Sequence, residues 1–504
     1  MKSGTVEAHR NSAVNWRYKM LLHLNSNNSL EMVNEQFDDS FRNESQLSFN
    51  HLIVEPLVDD KVILIDSFRD NVCVTTTKTY DRLIQNPKHL ESGYQKYFAK
   101  YFSRTNNWLE EQKLSYSTEI FENKKNFTNY IICPTYDCNM RCTYCYQQHS
   151  KTLDRNPITD QNLQRIFDYI QNNLREKEQL DSDHHGIVEL FGGEPFQKSN
   201  YNLVNNVLKF ARDNHCAVAA TSNGMDLHLF WKLFIQYRGY IKLIGVTLDG
   251  GPSIHNRRRL SVERKDSYTL IVENINILLK IGINVIISIN VDNQNFDSLE
   301  EFFDIAKKNG WSNNDKVKLE IGRVDDRFME SKYKKMNSEA ELIKKLIELN
   351  NKYPFPKNIK FAFLKSSEKL AKKLGFAFNQ NEAGRSDFHY CWNTSPIDDI
   401  QYIDHQLDVF RCTYTVGKKE FKIGNLDSLE KIEEVKNDIF KHSYFNIDKC
   451  QNCSIGGYCS GGCYVSRQVN FEQSCSKEKE NFKFLMKYVV APIMQERFVS
   501  WTKS

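Results

Sequence analysis

"CNMRCTYC" sets three thiols, Cys138, Cys142 and Cys145, within eight consecutive positions. Thiols at C-x3-C-x2-C spacing bind metal, and two chemistries compete for them. Structural zinc closes its shell with four Cys or His ligands. The nearest further candidates here are Cys133, inside a strand-like run, and His149, beyond the loop. A [4Fe–4S] cluster held by three thiolates instead leaves one iron open to a substrate or cofactor. The spacing favours the cluster over zinc.

A second group lies near the C-terminus. "CQNCSIGGYCSGGC" supplies Cys450, Cys453, Cys459 and Cys463, Cys475 follows, and Cys391 and Cys412 precede them. Seven thiols exceed what one zinc uses, so two metal centres are expected. Gly456, Gly457, Gly461 and Gly462 fill the gaps, and small residues there let backbone amides turn toward metal-bound sulfur. The remaining three of the thirteen cysteines, Cys73, Cys133 and Cys216, sit in apolar contexts and read as small buried hydrophobes.

The bulk properties fit a metalloprotein of the cytoplasm. At 504 residues the chain calls for two or three domains, and 40% hydrophobic with 26% charged residues is a globular composition. Lys and Arg number 68 against 64 Asp and Glu, a net charge of +4. That balance implies neither nucleic acid nor a membrane surface as partner. The opening "MKSGTVEAHRNSAVNW" lacks an apolar signal region, and no run approaches about 18 uninterrupted apolar residues. In a reducing compartment, clustered cysteines are more often metal ligands than disulfides.

Strands and helices must carry these thiols. Residues 1–48 are polar and Asn/Ser-rich and read as a poorly ordered extension. Residues 49–125 offer three β-like runs, "HLIVEPL", "KVILIDSF" and "VCVTTT", then helical material: a small α+β module with a winged-helix-like reading. From 126 to 330, "NYIICP", "IVELF", "AVAATSN", "KLIGVTL", "VIISINV" and "VKLEIG" alternate with helical segments. Such apolar runs suit a parallel sheet buried on both faces, and six strand–helix repeats imply a partial (β/α)6 barrel of TIM type. Active sites of such barrels lie at the C-terminal strand ends. A helical linker over 331–385, a cysteine-rich domain over 386–480 and a terminal helix over 481–504 complete the α/β chain.

"CNMRCTYCY" resembles the cluster loop of the radical S-adenosylmethionine (radical SAM) enzymes, C-x3-C-x-aromatic-C, with Tyr144 at the aromatic position. Three further stretches at strand ends agree: "LFGGEP" (190–195), "TSNG" (221–224) and "TLDGGPSIHNRRR" (247–259). The resemblance implies that Cys138, Cys142 and Cys145 hold a [4Fe–4S] cluster whose open iron chelates S-adenosylmethionine, which yields a 5′-deoxyadenosyl radical. Gly192, Gly193, Glu194 and Pro195 would meet the cofactor's amino group, Thr247 and Arg259 its ribose and carboxylate, and Val324 its adenine. Arg257 and Arg258 read as a solvated basic turn.

The C-terminal cysteines are similar to the SPASM extension of that superfamily, an iron–sulfur domain with two auxiliary [4Fe–4S] clusters, making three clusters in all. By the family's pattern Cys391, Cys412 and Cys463 belong to the first, and Cys450, Cys453, Cys459 and Cys475 to the second. The first then has three thiolates, its fourth position open to a peptide or filled by another ligand. Leu407 stands where the family often has glycine, five residues before Cys412. The likeness spans residues 129 to about 480.

Relatives with this extension mostly modify peptides or proteins, reduced by a donor such as flavodoxin or ferredoxin. In sulfatase maturases an Asp follows the second auxiliary-region cysteine as general base; here Thr413 does, and a hydroxyl has no useful basicity near neutral pH. The expectation is therefore a maturase acting on a ribosomally made precursor peptide, by thioether or carbon–carbon crosslinking, with residues 49–125 binding the leader. The alternatives are a formylglycine-forming anaerobic sulfatase maturase and, from another class, a non-catalytic iron–sulfur or zinc module. No catalytic base is assigned.

Overall fold

In the computed structural model, residues 21–24, 30–32, 48–104, 107–123, 128–147, 153–176, 186–328, 333, 336–368, 370, 388–397 and 399–503 are described. Five strands come first: β1 (Leu21–Leu24), β2 (Leu30–Met32), β3 (Ile53–Pro56), β4 (Lys61–Asp66) and β5 (Asn71–Thr76). They form an antiparallel sheet in the order β2-β1-β5-β4-β3. The expectation of a poorly ordered extension over 1–48 is corrected there, because β1 and β2 add two strands beside β5; the rest of that stretch, apart from Ser48, lies outside the described residues. Period two splits β4 and β5 between two cores. Val62, Leu64 and Cys73 pack with Leu83, Tyr97, Phe98 and Phe102 of the helices that follow, whereas Ile63, Ile65, Val72 and Val74 join the main core.

The main sheet has ten strands. In chain order they are β6 (Thr128–Cys133), then β8 (Gly186–Leu190) to β10 (Ile241–Thr247) through β9 (Cys216–Ser222), β12 (Val285–Val291), β13 (Val317–Arg323), β14 (Ile359–Phe361), β15 (Asp399–Asp404), β16 (Asp408–Phe410) and β17 (Gly424–Asn425). Their spatial order is β14-β13-β12-β10-β9-β8-β6-β15-β16-β17. All pairings from β14 to β15 are parallel, and only β16 and β17 turn back. The intervening β7 (Met140–Cys142) and β11 (Arg259–Ser261) form a separate antiparallel ribbon.

Six parallel strands coincide with the six apolar runs, and two more come from unexpected places. The segment read as a helical linker contributes β14 beside β13 as well as the helix Glu339–Lys352. The cysteine-rich region contributes β15, parallel to β6, with Tyr402 opposite Ile131. Nor does a boundary fall at 480, since the helix Tyr464–Leu485 runs through it and continues by a π turn into Ala491–Lys503.

Burial on both faces of this sheet is also corrected. Along β12 fully buried positions alternate with half-buried ones, and β8 repeats the pattern. Val285, Ile287, Ile289 and Val291 pack in the core with Ile271 and Ile275 of the helix Tyr268–Lys280. From β8 to β13 the other face stays half open and carries the polar residues Glu189, Thr221, Thr247, Ser288, Asn290 and Glu320 beside apolar ones such as Ile286. Toward β6 and β15, Ile131, Cys133 and Tyr402 close it.

Candidate active site

The loop after β6 carries the first three thiols and is pinned from two sides. Its own strand β7 pairs with β11 so that Arg259 lies opposite Cys142, and Thr143 N–H donates to the Arg258 carbonyl at 2.9 Å. On the other side, the N–H groups of Gly193 and Glu194 donate to the carbonyls of Thr135 and Asp137, both at 2.9 Å. A Cβ at Gly193 would stand 1.9 Å from the Asp137 carbonyl oxygen. Glycine is thus required there for contact between two loops. Gly192 adds a φ of +135°, which favours glycine in its own right.

Cys138, Cys142 and Cys145 lie close enough to feel one another's charge. Burial, then Glu194, then these neighbours push the Cys138 thiol up to about 12. Burial likewise lifts Cys142 to about 11, against the pull of Arg259. Donors point at sulfur: the Met140 N–H reaches Cys138 Sγ at 3.4 Å and Asn223 Nδ2 reaches it at 3.6 Å. Among the described residues no three Cys, His, Asp or Glu groups converge as on a lone metal ion. The fit to an anionic sulfur cluster therefore rests on this proximity and these donors.

Glu194 is buried and turned inward. It accepts from Phe196 N–H and Ser222 Oγ at 2.9 Å each and from Asn223 N–H at 2.6 Å. Burial nevertheless raises its carboxyl to about 7. Tyr144 stacks under the Arg258 guanidinium at 4.8 Å and accepts from Arg259 Nη1 at 2.8 Å. Arg259 Nε is buried without a hydrogen-bond partner among the described residues, which leaves part of the guanidinium for a ligand carboxylate. Thr247 ends β10, and Val324 follows β13 with its N–H on the Val291 carbonyl at 2.9 Å.

Arg258 is not part of a solvated turn. It is fully buried, donates to Asp249 at 3.2 Å and to Asp292, and reaches the Asn290 carbonyl at 2.7 Å. Two carboxylates compensate the burial of this cation. Arg257 alone is exposed.

The seven thiols from Cys391 to Cys475 gather into two further groups. Cys412 lies near Cys391 and Cys463, with Phe328, Tyr390 and Val465 packed around them; burial and the two neighbouring thiols push it up to about 12. Arg467 donates to Cys450 Sγ at 3.4 Å and to Cys459 and Cys475 at 3.8 and 3.7 Å, and Cys453 lies close enough to act on Cys450. No pattern flagged Arg467, although it stands one helical turn after Cys463. Gly456 and Gly457 serve a different purpose from the one expected. A Cβ at Gly457 would meet the Ser67 carbonyl oxygen at 2.1 Å, and one at Gly456 the Phe68 ring at 2.6 Å. They admit the β4–β5 turn, where Ser67 Oγ donates to the Ser454 carbonyl at 2.7 Å and Tyr458 to Asp70 at 2.8 Å. Leu407 keeps a φ of +67° in the turn between β15 and β16, a left-handed geometry that favours glycine.

Tyr146 joins the two cysteine regions. Its hydroxyl donates to the Thr413 carbonyl at 2.8 Å, and its ring lies 5.1 Å from that of Tyr414. The sequence patterns assign Tyr146 and Asn223 no role of their own and set Arg258 in a solvated turn. Their deciding partners, Thr413 for Tyr146, Glu194 and Cys138 for Asn223 and Asp292 for Arg258, are distant in the chain.

Residues 132–306 match the model of the radical SAM superfamily. The chain is 25% identical over 354 residues to the cysteine-type anaerobic sulfatase-maturating enzyme of Clostridium novyi (strain NT), covering 66% of this chain and 87% of that one. It is 29% identical over 151 residues to the serine-type enzyme of Bacteroides thetaiotaomicron, 29% of this chain and 35% of that one. The fold resembles that of native anSMEcpe with bound AdoMet and Cp18Cys peptide, with a TM-score of 0.53 and 15% identity over 74% of this chain and 99% of that one.

Proposed function

Because the chain is a radical SAM enzyme, we propose that it is a maturase that crosslinks a ribosomally made precursor peptide through a thioether or carbon–carbon bond. The observation that carries this is the meeting of the Cys138–Cys145 loop with the Cys412 region, through Tyr146 and Thr413, beside the half-open sheet face. A substrate on that face would lie between both.

Cys138, Cys142 and Cys145 would hold the first [4Fe–4S] cluster, with S-adenosylmethionine at its open iron. Tyr144 packs against Arg259, whose Nε would meet the cofactor's carboxylate. Gly192, Gly193, Glu194 and Pro195 would meet its amino group, and Thr247 and Val324 would meet its ribose and adenine. The bound cluster and cofactor supply hydrogen-atom abstraction from an unactivated C–H bond. Cys391, Cys412 and Cys463 would hold one auxiliary cluster and Cys450, Cys453, Cys459 and Cys475 another, with Arg467 balancing its negative charge. Residues 49–125 would bind the leader, and flavodoxin or ferredoxin would supply electrons in the cytoplasm.

Formylglycine formation is the second reading, favoured by both sulfatase-maturating relatives. Against it, Thr413 supplies no base, and its carbonyl is engaged by Tyr146. Anaerobic reconstitution should yield about twelve irons per chain and deoxyadenosine release. Mass spectrometry of the peptide encoded beside the gene should show loss of two hydrogens. Conversion of a sulfatase-motif cysteine to an aldehyde would establish the second reading instead.

A further inference from the structure

Two carboxylates sit in the half-open face of the main sheet, and they are held differently. Glu320 on β13 accepts from Ser288 Oγ at 2.9 Å and pairs with Lys360 at 3.6 Å. Glu189 on β8 accepts from Thr221 Oγ1 at 3.2 Å. Strand parity puts Glu189 on the face of Ile131 and Cys133 of β6, Phe191 after β8, and Tyr402 of β15. Phe191 and Tyr402 meet edge to face at 5.9 Å. The Tyr402 hydroxyl feels the charges of Glu189, Cys412, Cys133 and Tyr146 together. Glu189 therefore lies where the loop after Cys145 and the segment after Cys412 come together.

We propose that Glu189 is the proton acceptor for the cysteine thiol of the peptide substrate that goes on to form the crosslink. This rests on the peptide-modifying reading above. The S–H bond breaks heterolytically, the electron pair stays on sulfur, and the proton moves to a Glu189 carboxylate oxygen. No electron leaves the pair, so the step needs no oxidant. The site is suited to it chemically. Burial lifts the Glu189 carboxyl to about 7, and the Thr221 hydrogen bond opposes that rise. Against a thiol near 8.5, an ordinary glutamate near 4.3 is mismatched by about 10⁴-fold, and a carboxyl near 7 by only about 30-fold. The titratable groups facing it are Cys133 of β6 and Tyr402 of β15, with Asp404 of β15 behind Cys133 and Tyr146 and Cys412 beyond Tyr402. Burial holds Cys133, Tyr402 and Tyr146 well above their ordinary values and lifts Cys412 to about 12. Glu194, beside the Cys138 loop, shares a value of about 7, so an acid limb near pH 7 is ascribed to Glu189 by its loss in Glu189→Gln.

The test uses reconstituted holoenzyme, Cys-containing peptides translated from short open reading frames adjacent to the gene, and the variants Glu189→Gln and Glu189→Asp. Modified peptide formed per deoxyadenosine released should fall about 10²–10³-fold in Glu189→Gln, and the acid limb near pH 7 should vanish. Glu189→Asp should recover part of the yield with the limb moved to lower pH. Infrared difference spectra of wild type against Glu189→Gln should isolate one carboxyl band titrating near pH 7, with the Glu194 band common to both proteins. If wild-type enzyme modifies the peptide and Glu189→Gln matches its yield and pH profile, the assignment falls while the peptide-modifying reading stands. If the wild type releases deoxyadenosine and leaves the peptide intact, the peptide-modifying reading falls first and takes the assignment with it. Absence of that difference band overturns the assignment whatever the peptide yields.

Discussion

The two cysteine regions are built by opposite means. The Cys138–Cys145 loop is contiguous, follows one strand and is braced by backbone contacts from the next strand-end loop and from β11. The Cys391–Cys475 region gathers thiols from segments up to 84 residues apart, and side chains and a distant module hold it. Arg467 reaches three of its sulfurs, and the Ser67–Asp70 turn fills the space left by Gly456 and Gly457. A loop braced by backbone tolerates loss of distant contacts, whereas an assembly of remote segments depends on them.

The sharpest way to break this contrast is to delete thiols. Replacing Cys138, Cys142 and Cys145 by Ala should remove about four irons and abolish deoxyadenosine formation. Cys459→Ala should spare deoxyadenosine formation, remove iron from the C-terminal region and lower its melting temperature. Iron analysis, product chromatography and calorimetry would read the difference, and loss of deoxyadenosine formation in Cys459→Ala would merge the two regions into one unit.

Glycine substitutions come next. Gly457→Ala forces a methyl group onto the Ser67 backbone and should cost at least about 1–3 kcal/mol. The expected signature is earlier thermal unfolding together with iron loss from the C-terminal region. Gly193→Ala, against the Asp137 carbonyl, should impair cofactor cleavage with the C-terminal irons retained. Identical iron losses in both variants would contradict separate bracing.

A pH test addresses the first region alone. Glu194 titrates near 7 in the folded chain, above the ordinary glutamate value, so the folded state holds the proton more tightly than the unfolded one. Its protonation therefore favours folding at low pH, and that advantage is lost as pH rises to about 7. Glu194→Gln should accordingly gain about 2 kcal/mol relative to wild type between pH 5 and pH 8, measured by chemical denaturation. A pH-independent difference would place the carboxyl in a less buried setting.

The smallest effect is expected at the junction. Tyr146→Phe removes the hydrogen bond to Thr413 and should cost about 1 kcal/mol. If the bond aligns the two regions, more deoxyadenosine should form per modified peptide, as chromatography would show.

Local chemistry made much of this protein legible as a sequence. The six apolar runs between Asn129 and Gly322 become six parallel strands, because β-branched segments between helical spacings have few other ways to bury themselves. The spacing of Cys138, Cys142 and Cys145 likewise marks out a candidate metal loop, since their neighbourhood is covalent. Tertiary structure decided what depended on distant partners. Arg258 reads as a surface cation until Asp249 and Asp292 close on it. Gly457 reads as a loop residue beside metal-binding thiols until the Ser67 turn packs on it. Strand β14 has three residues and β15 mixes Asp399, Gln401 and Asp404 with its apolar positions, and they become strands because sheet edges beside β13 and β6 offer unpaired backbone groups. Glu189 is an ordinary strand residue by sequence; its burial across from Tyr402 is set by register, which no local pattern encodes.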